Sequence, residues 1–500
     1  MSISRDSLNE TNGGTTQFNE SITTSINPVV QNTFTGSVIQ NQYYESFTAG
    51  GGTISVENSK ATLSIGSGIG DYYVLRSKRV VKYRPGYVLV CRLGASFDSN
   101  AAGVNNSLLA VGLGSNSSDV YFAVQNGEFG FRYSTGGKSQ VIELEIINSL
   151  TFASNDIFIE LNGITYDITI IGTTTDTEYT AHLIEEGLLN QIPNFPYLIE
   201  HIASKLKFIK KDVGLANGNI SFTSTGNVVS GTITNIKDGA PLTTTFTPLS
   251  RANGDQRFIS KFDWTKKQMY SLDFSWYGVG NIIYSALDPE ENKFRVLHTY
   301  RFANKSTDLN INQPNMYIQT VCASLGSSTP LFVTQGGSFA GVYGSTLSPY
   351  LPRFSVSNSK SISSNTETII LSLKLRYELN DYILNNEVFL NILSVSVDGN
   401  RPVTMKLYKN PTLLGDNTIN DYHNYSYVNQ SYSTMLYDQT VDTFTGGNLI
   451  TEFTIGKDGN IIIDLSNQSL ILERGDVFIF TATSTAVNTV DISLNWVEDI

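Results

Sequence analysis

Histidine, cysteine and charge are all scarce in this chain. Its 500 residues hold 4 histidines, 2 cysteines and only 16% charged side chains. So few imidazoles and thiols leave little material for general-base or thiolate chemistry. Two cysteines exclude a disulfide-stapled secreted scaffold. Cys91 in VLVCRL and Cys322 in IQTVCASL sit in apolar stretches, so buried thiols are expected in preference to a disulfide. No apolar run reaches the ~20 residues of a membrane-spanning helix. The opening MSISRDSLNETNGG lacks the charged-then-apolar order of a secretion signal, so the expectation is assembly in a cytosol. Positive charge is short as well: 33 Lys and Arg face 45 Asp and Glu, a net charge of −12. That balance argues against a partner recognised through its phosphate backbone.

What is plentiful points to strands. There are 26 Tyr and 26 Phe, and short alternating segments are punctuated by Ser, Thr, Asn and Gly. Such residues suit a pleated, half-buried surface. The length sets a prior of roughly three domains. Asn126-Gly127 between VYFAV and FGFRY, and Asn162-Gly163 in FIELNGITYDITI, predict tight hairpins, because both central positions need positive φ. Asp398-Gly399 and Asp458-Gly459 predict further turns.

The pattern changes between Asp176 and Lys211. Leu183, Ile184 and Leu188 have helical spacing, as do Leu198, Ile199, Ile202 and Leu206, with Pro193 and Pro196 between them. Two short helices are therefore predicted. The fold class expected is all-β: a multidomain β-sandwich and jelly-roll architecture with a small α/β insertion. Residues 1–40 read as a flexible arm, since few apolar anchors are present. Residues 41–149 and 251–345 read as one discontinuous sandwich, and 150–250 as the inserted α/β domain. Residues 346–500, with about eight strand candidates, read as a jelly-roll-like sandwich. Serines around Pro349 and Pro352 mark a domain boundary over 345–365.

Candidate chemistry is thin. His182 and His201 fall in the insertion, His298 in a strand and His423 in a loop, with no pair at metal-ligand spacing. Glu143 and Glu145 in VIELEI share one face of a strand about 7 Å apart, a range that serves glycoside hydrolysis. The alternation itself also predicts a solvated face. No G-x-S-x-G and no zinc-type cysteine pair occurs. The expectation is no catalytic residue, no metal and no cofactor. Two surfaces stand out as interface or binding candidates. One is the basic run holding Lys78, Arg79, Lys82 and Arg84, where alternation on an exposed strand puts Lys78 and Lys82 on one face. The other is a tyrosine-rich loop with Tyr422, Tyr425, Tyr427, Tyr432 and Tyr437, residues that give contact area at low entropic cost.

The segment SKRVVKYRPGYVLVCRLGASF, with AVGLG and VYFAVQNGEFGFRYSTGG, resembles a YRPG-containing β domain of virion structural proteins from tailed phages and large DNA viruses. DFSWYGVGNIIYSALDPEENKFRVLHTYRFAN and SFAGVYG look like its later half, and KNPTLLG and LNWVEDI resemble the last sandwich of those proteins. The resemblance covers most of the chain after residue 40. It implies a capsid, penton, spike or fibre component in the virion and brings no catalytic residues. The expected partners are other copies of the chain (a trimer or pentamer), other virion structural proteins, and a host-surface glycan or receptor. No nucleic acid and no membrane span are expected. A carbohydrate-binding adhesin is the second reading, and a β-sandwich glycoside hydrolase the third.

Overall fold

The computed structural model describes residues 26–34, 44–83, 87–115, 117–150, 152–172, 175–192, 195–211, 218–275, 278–305, 311, 313–343, 351–379, 382–383, 386–414, 425–441, 443–465, 470–472 and 475–499. The chain forms two compact units, each discontinuous in sequence. One comprises Met1–Gly137 and Pro241–Leu347, the other Lys138–Ala240 and Ser348–Ile500.

The first unit is a sandwich of two antiparallel sheets. One runs, edge to edge, through Lys293–Tyr300, Ile282–Asp288, Gln268–Phe274, Val88–Phe97, Leu331–Tyr343, Lys60–Ile65 and Thr53–Glu57. The other runs through Thr243–Pro248, Glu128–Thr135, Asp119–Gln125, Ser107–Gly114, Tyr317–Ser324, Tyr72–Ser77 and Tyr44–Ala49. Period-two patterning drives the packing: in KATLSI, Ala61, Leu63 and Ile65 are buried and join the core shared by both sheets. Phe122 sits at its centre, 4.5 Å from the Tyr270 ring and 5.2 Å from the Tyr284 ring. Cys91 and Cys322 are free, buried thiols in this core. Burial pushes the Cys322 thiol up to about 12, so it stays protonated and unreactive.

Local signals place the hairpins. Asn126 and Gly127 have φ of 51° and 84°, and Gln125 pairs with Glu128 across them. Asn162 and Gly163 do the same at 56° and 78°. The predicted arm is only partly described. Its residues Ile26–Asn32 are a strand paired with Leu331–Tyr343, and its other described residues are 33–34.

In the second unit, the described residues of 138–240 include two small sheets and an α-helix. Val141–Ser149 lies between Lys205–Lys210 and Val229–Lys237, with Tyr197–Ile202 beyond. Ser154–Leu161 lies between Ile164–Ile171 and Ile220–Ser224. The helix is Thr177–Gln191, started by Asp176, whose carboxylate accepts the backbone N–H of Glu178 and Tyr179. The second predicted helix is instead a hairpin, Tyr197–Ile202 with Lys205–Lys210. Its apolar residues are dense enough to satisfy either period. Tyr197 and Ile199 alternate onto the core, and Leu206, Phe208 and Ile209 follow from the partner strand.

The rest of the second unit is a jelly roll. Its eight principal strands, in chain order, are Arg353–Ile362, Thr368–Leu375, Glu387–Gly399, Val403–Lys409, Asn448–Ile455, Asn460–Asp464, Val477–Ser484 and Asn488–Asp499. One sheet is ordered first, eighth, third, sixth, and the other second, seventh, fourth, fifth. The predicted boundary at 345–365 holds the division between the two units, at Leu347/Ser348, and also a full strand, whose serines alternate with Phe354, Val356 and Ile362, which pack on the core.

Candidate functional site

The residues singled out by sequence take different positions. The strand carrying the basic run ends at Ser77. Ser77 Oγ donates to the Arg79 carbonyl at 2.9 Å, and beyond it Val81 and Met316 form an isolated bridge. No exposed strand face therefore holds Lys78 and Lys82 together. Lys78 and Arg79 are half-buried, Lys82 is buried, and Arg84 lies outside the described residues. The tyrosine loop is also less exposed than expected. Tyr422 lies outside the described residues. Tyr425 is buried, with its hydroxyl 2.9 Å from Ser372 Oγ. Tyr427 is half-buried and lies under the Arg376 guanidinium, 4.5 Å from the ring centre. Of the five, Tyr432 is exposed, at 72%.

The carboxylate pair is bound up in a surface ion cluster. Lys205 Nζ lies 2.9 Å from Glu143 Oε1 and 3.4 Å from Glu145 Oε2, and the lysine side chain is 44% exposed. A carboxylate pair bridged by one shared, solvated ammonium is a strand-face salt bridge. It lacks the two contrasting environments that make one acid and one nucleophile of two carboxyls.

The surface that the structure does assemble lies on the jelly roll. The pleat of Arg353–Ile362 turns Ser355, Ser357, Ser359 and Ser361 away from the core. Across the sheet, Ser357 faces Ser493 and Ser493 faces Ser394; in the next row Ser359 faces Asp491 and Asp491 faces Ser396. Neighbouring strands lie about 4.8 Å apart and alternate residues about 7 Å apart, so these side chains form a regular hydroxyl grid. Ser396 Oγ donates to Asp491 Oδ2 at 3.2 Å. Gln439 walls one side, its Nε2 donating to the Ser357 carbonyl at 2.8 Å, and Lys360 Nζ holds that loop through the carbonyls of Gln439 and Val441 at 3.4 and 3.3 Å. The resulting groove has a volume of about 520 Å³. Its floor offers short donors and acceptors with one carboxylate, a chemistry suited to hydroxyl or amide groups rather than to ions. Sequence reasoning passed over it, although the signal was present in the alternate serines of SVSNSKS and SVS.

The histidines divide three ways. His298 is buried between Phe131, stacked at 5.0 Å, and Tyr300, edge-on at 4.5 Å. Burial, with a smaller contribution from Arg301, lowers its pKa to about 4. His423 lies outside the described residues. His182 and His201, read as unrelated from their spacing, are brought together by the helix and the hairpin.

No protein-family model and no curated protein sequence matches this chain. Several solved structures are similar to it. A legume lectin-like domain from Entamoeba histolytica aligns at 11% identity over 63% of this chain and 98% of that one, with a TM-score of 0.24. A protein from the study of a triple jelly-roll fold and turret assembly in an archaeal virus aligns at 6% identity over 92% of this chain and 91% of that one, TM-score 0.17. The catalytic domain of an endo-1,3-β-glucanase from Thermotoga petrophila RKU-1 aligns at 10% identity over 65% and 100%, TM-score 0.18. At those scores the likenesses carry no argument about function, which has to rest on the chain's own residues.

Proposed function

We propose that this protein is a structural component of a virion surface or vertex and works through interfaces between copies of itself and with neighbouring virion proteins. The observation that carries this reading is the hydroxyl-lined face of the jelly-roll sheet. An ordinary solvated sheet face carries many Lys and Glu; these rows carry Ser357, Ser493, Ser394, Ser359 and Ser396 around the single carboxylate of Asp491, and the first row ends in the exposed Ile462. Small uncharged side chains cost less to desolvate than charged ones and let another surface approach closely. The buried ionic groups of this unit are also used within the fold, as at Glu498, which accepts from Ser433, Thr434 and Trp496.

The test is the mass of the purified chain by light scattering on a sizing column. A discrete trimer or pentamer is expected, reduced to monomer by Ser394→Arg combined with Ser493→Arg. A wild-type monomer at micromolar concentration overturns the reading.

A second reading, attachment to a host-surface glycan, is favoured by the same groove, since its donors and acceptors match sugar hydroxyls. It predicts saturable binding on a glycan array that Asp491→Ala abolishes. Array binding unchanged by Asp491→Ala sinks it.

A further inference from the structure

Three side chains with metal-binding atoms converge within the second unit, away from the hydroxyl face. His182 and Glu185 stand three residues apart on Thr177–Gln191 and so share one side of that helix. His201 projects toward them from Tyr197–Ile202. One ligand atom from each lies within 4.8 Å of the others, and the residues are 4%, 6% and 3% exposed respectively.

The bonds of His201 sharpen the case. Its Nε2 is 2.7 Å from the Ala203 carbonyl and its Nδ1 is 3.0 Å from Glu185 Oε2. A carbonyl only accepts, so Nε2 carries the hydrogen. In the neutral ring, Nδ1 then turns a lone pair toward a carboxylate oxygen. Two acceptors at that distance require a positive species beside them, either a proton or a metal ion. A proton would serve two atoms, but a third ligand-type side chain, His182, also reaches this point. Its ring lies 6.2 Å from that of His201 and within 14° of parallel. A ring N–H anchored on a backbone carbonyl is also how proteins orient a metal-bound imidazole and raise its basicity.

We propose that His182, Glu185 and His201 bind a divalent transition-metal ion, with zinc the best match to two imidazoles and one carboxylate. Bonds of about 2.0–2.2 Å set tetrahedral ligand atoms roughly 3.3 Å apart. The Glu185–His201 edge is already close to that length, and the other two, each within 4.8 Å, need a closure of at most about 1.5 Å. The ion fastens the helix to the hairpin, beside Glu200, which bonds to the jelly roll through Arg376 and the Tyr377 backbone. Its role is to hold the inserted segment in place. A fourth position is left for water or another oxygen ligand.

The experiment uses the full chain, stripped with a chelator and shown to be folded by circular dichroism. Titration with zinc chloride, followed by calorimetry and elemental analysis, should give one zinc per chain and a raised Tm. Zinc-edge X-ray absorption should find two imidazoles in the first coordination shell. His182→Ala and Glu185→Gln should weaken binding by more than the roughly 10–100-fold that loss of an outer partner costs. No stoichiometric uptake by the folded wild type overturns the proposal, leaving a proton-bridged pair. So does a first shell without two imidazoles, which stays decisive if a variant fails to fold. Wild-type affinity in both folded variants overturns it as well.

Discussion

Glu200 and Arg376 form a buried ion pair, Oε1 to Nε at 3.4 Å, with side chains 1% and 2% exposed. The pair joins the inserted segment to the jelly roll within one compact unit. Glu200 Oε2 also accepts the backbone N–H of Tyr377 at 3.3 Å, and Arg376 Nη1 donates to the carbonyls of Gln430 and Ser433 at 3.1 and 3.3 Å. Removing one partner strands the other charge without water. Glu200→Gln or Arg376→Met should each cost about 3–5 kcal/mol, and the double variant less than the sum. Urea denaturation of the single and double variants measures this; strictly additive losses would mean the two charges are not coupled.

Glu498 is fully buried and accepts four hydrogen bonds: from Ser433 Oγ at 2.6 Å, Trp496 Nε1 at 2.8 Å, and the Thr434 backbone N–H and Oγ1 at 2.6 and 2.7 Å. Glu498→Gln keeps the shape but turns an N–H₂ group toward donors. A loss of about 2–4 kcal/mol is expected, since charge-assisted bonds disappear and a buried donor is left unmatched. The urea midpoint checks this, and a loss below about 1 kcal/mol would contradict it.

His298 sets a pH dependence. Its folded pKa of about 4 lies below the ordinary 6.5, chiefly because burial disfavours the charged ring. The stability of the neutral ring is therefore fully present above pH 6.5. It declines as pH falls from there and is lost through about 4, a change of about 2–3 kcal/mol. Asn253 donates its backbone N–H to His298 Nδ1 at 3.4 Å, so His298→Gln retains an acceptor without the titration. The difference in stability between pH 7 and pH 4.5 should be smaller in the variant than in the wild type; equal slopes would refute the assignment.

Gly127 has φ of +84°, and a Cβ there would meet Gly103 backbone atoms at 2.5 Å. Gly127→Ala should destabilise the first unit by about 2–4 kcal/mol, combining left-handed strain with overpacking. Gly446, at φ +65° with nothing near its Cβ position, is the control: Gly446→Ala carries only the conformational penalty, about 1–2 kcal/mol. Thermal melts of the two variants should rank in that order.

Local physics alone determined much of this protein. Asn126-Gly127 and Asn162-Gly163 are hairpins because two adjacent positive φ angles suit those residues and few others. The helix from Thr177 was legible from its apolar spacing, and the all-β class from alternation such as KATLSI. Only tertiary structure decided the rest. Leu198, Ile199, Ile202 and Leu206 match a helical period, yet the hairpin wins because it sends both its strands into a core that already contains Val141–Ser149. The first-eighth-third-sixth order of the jelly-roll sheet pairs the two ends of that domain, so the serine rows exist only once Ser357, Ser493 and Ser394 are side by side. Likewise His182 and His201 have no meaningful spacing along the chain. Their convergence depends on how the helix packs on the hairpin, a contact set by the shape of a core and not by the pattern of either segment.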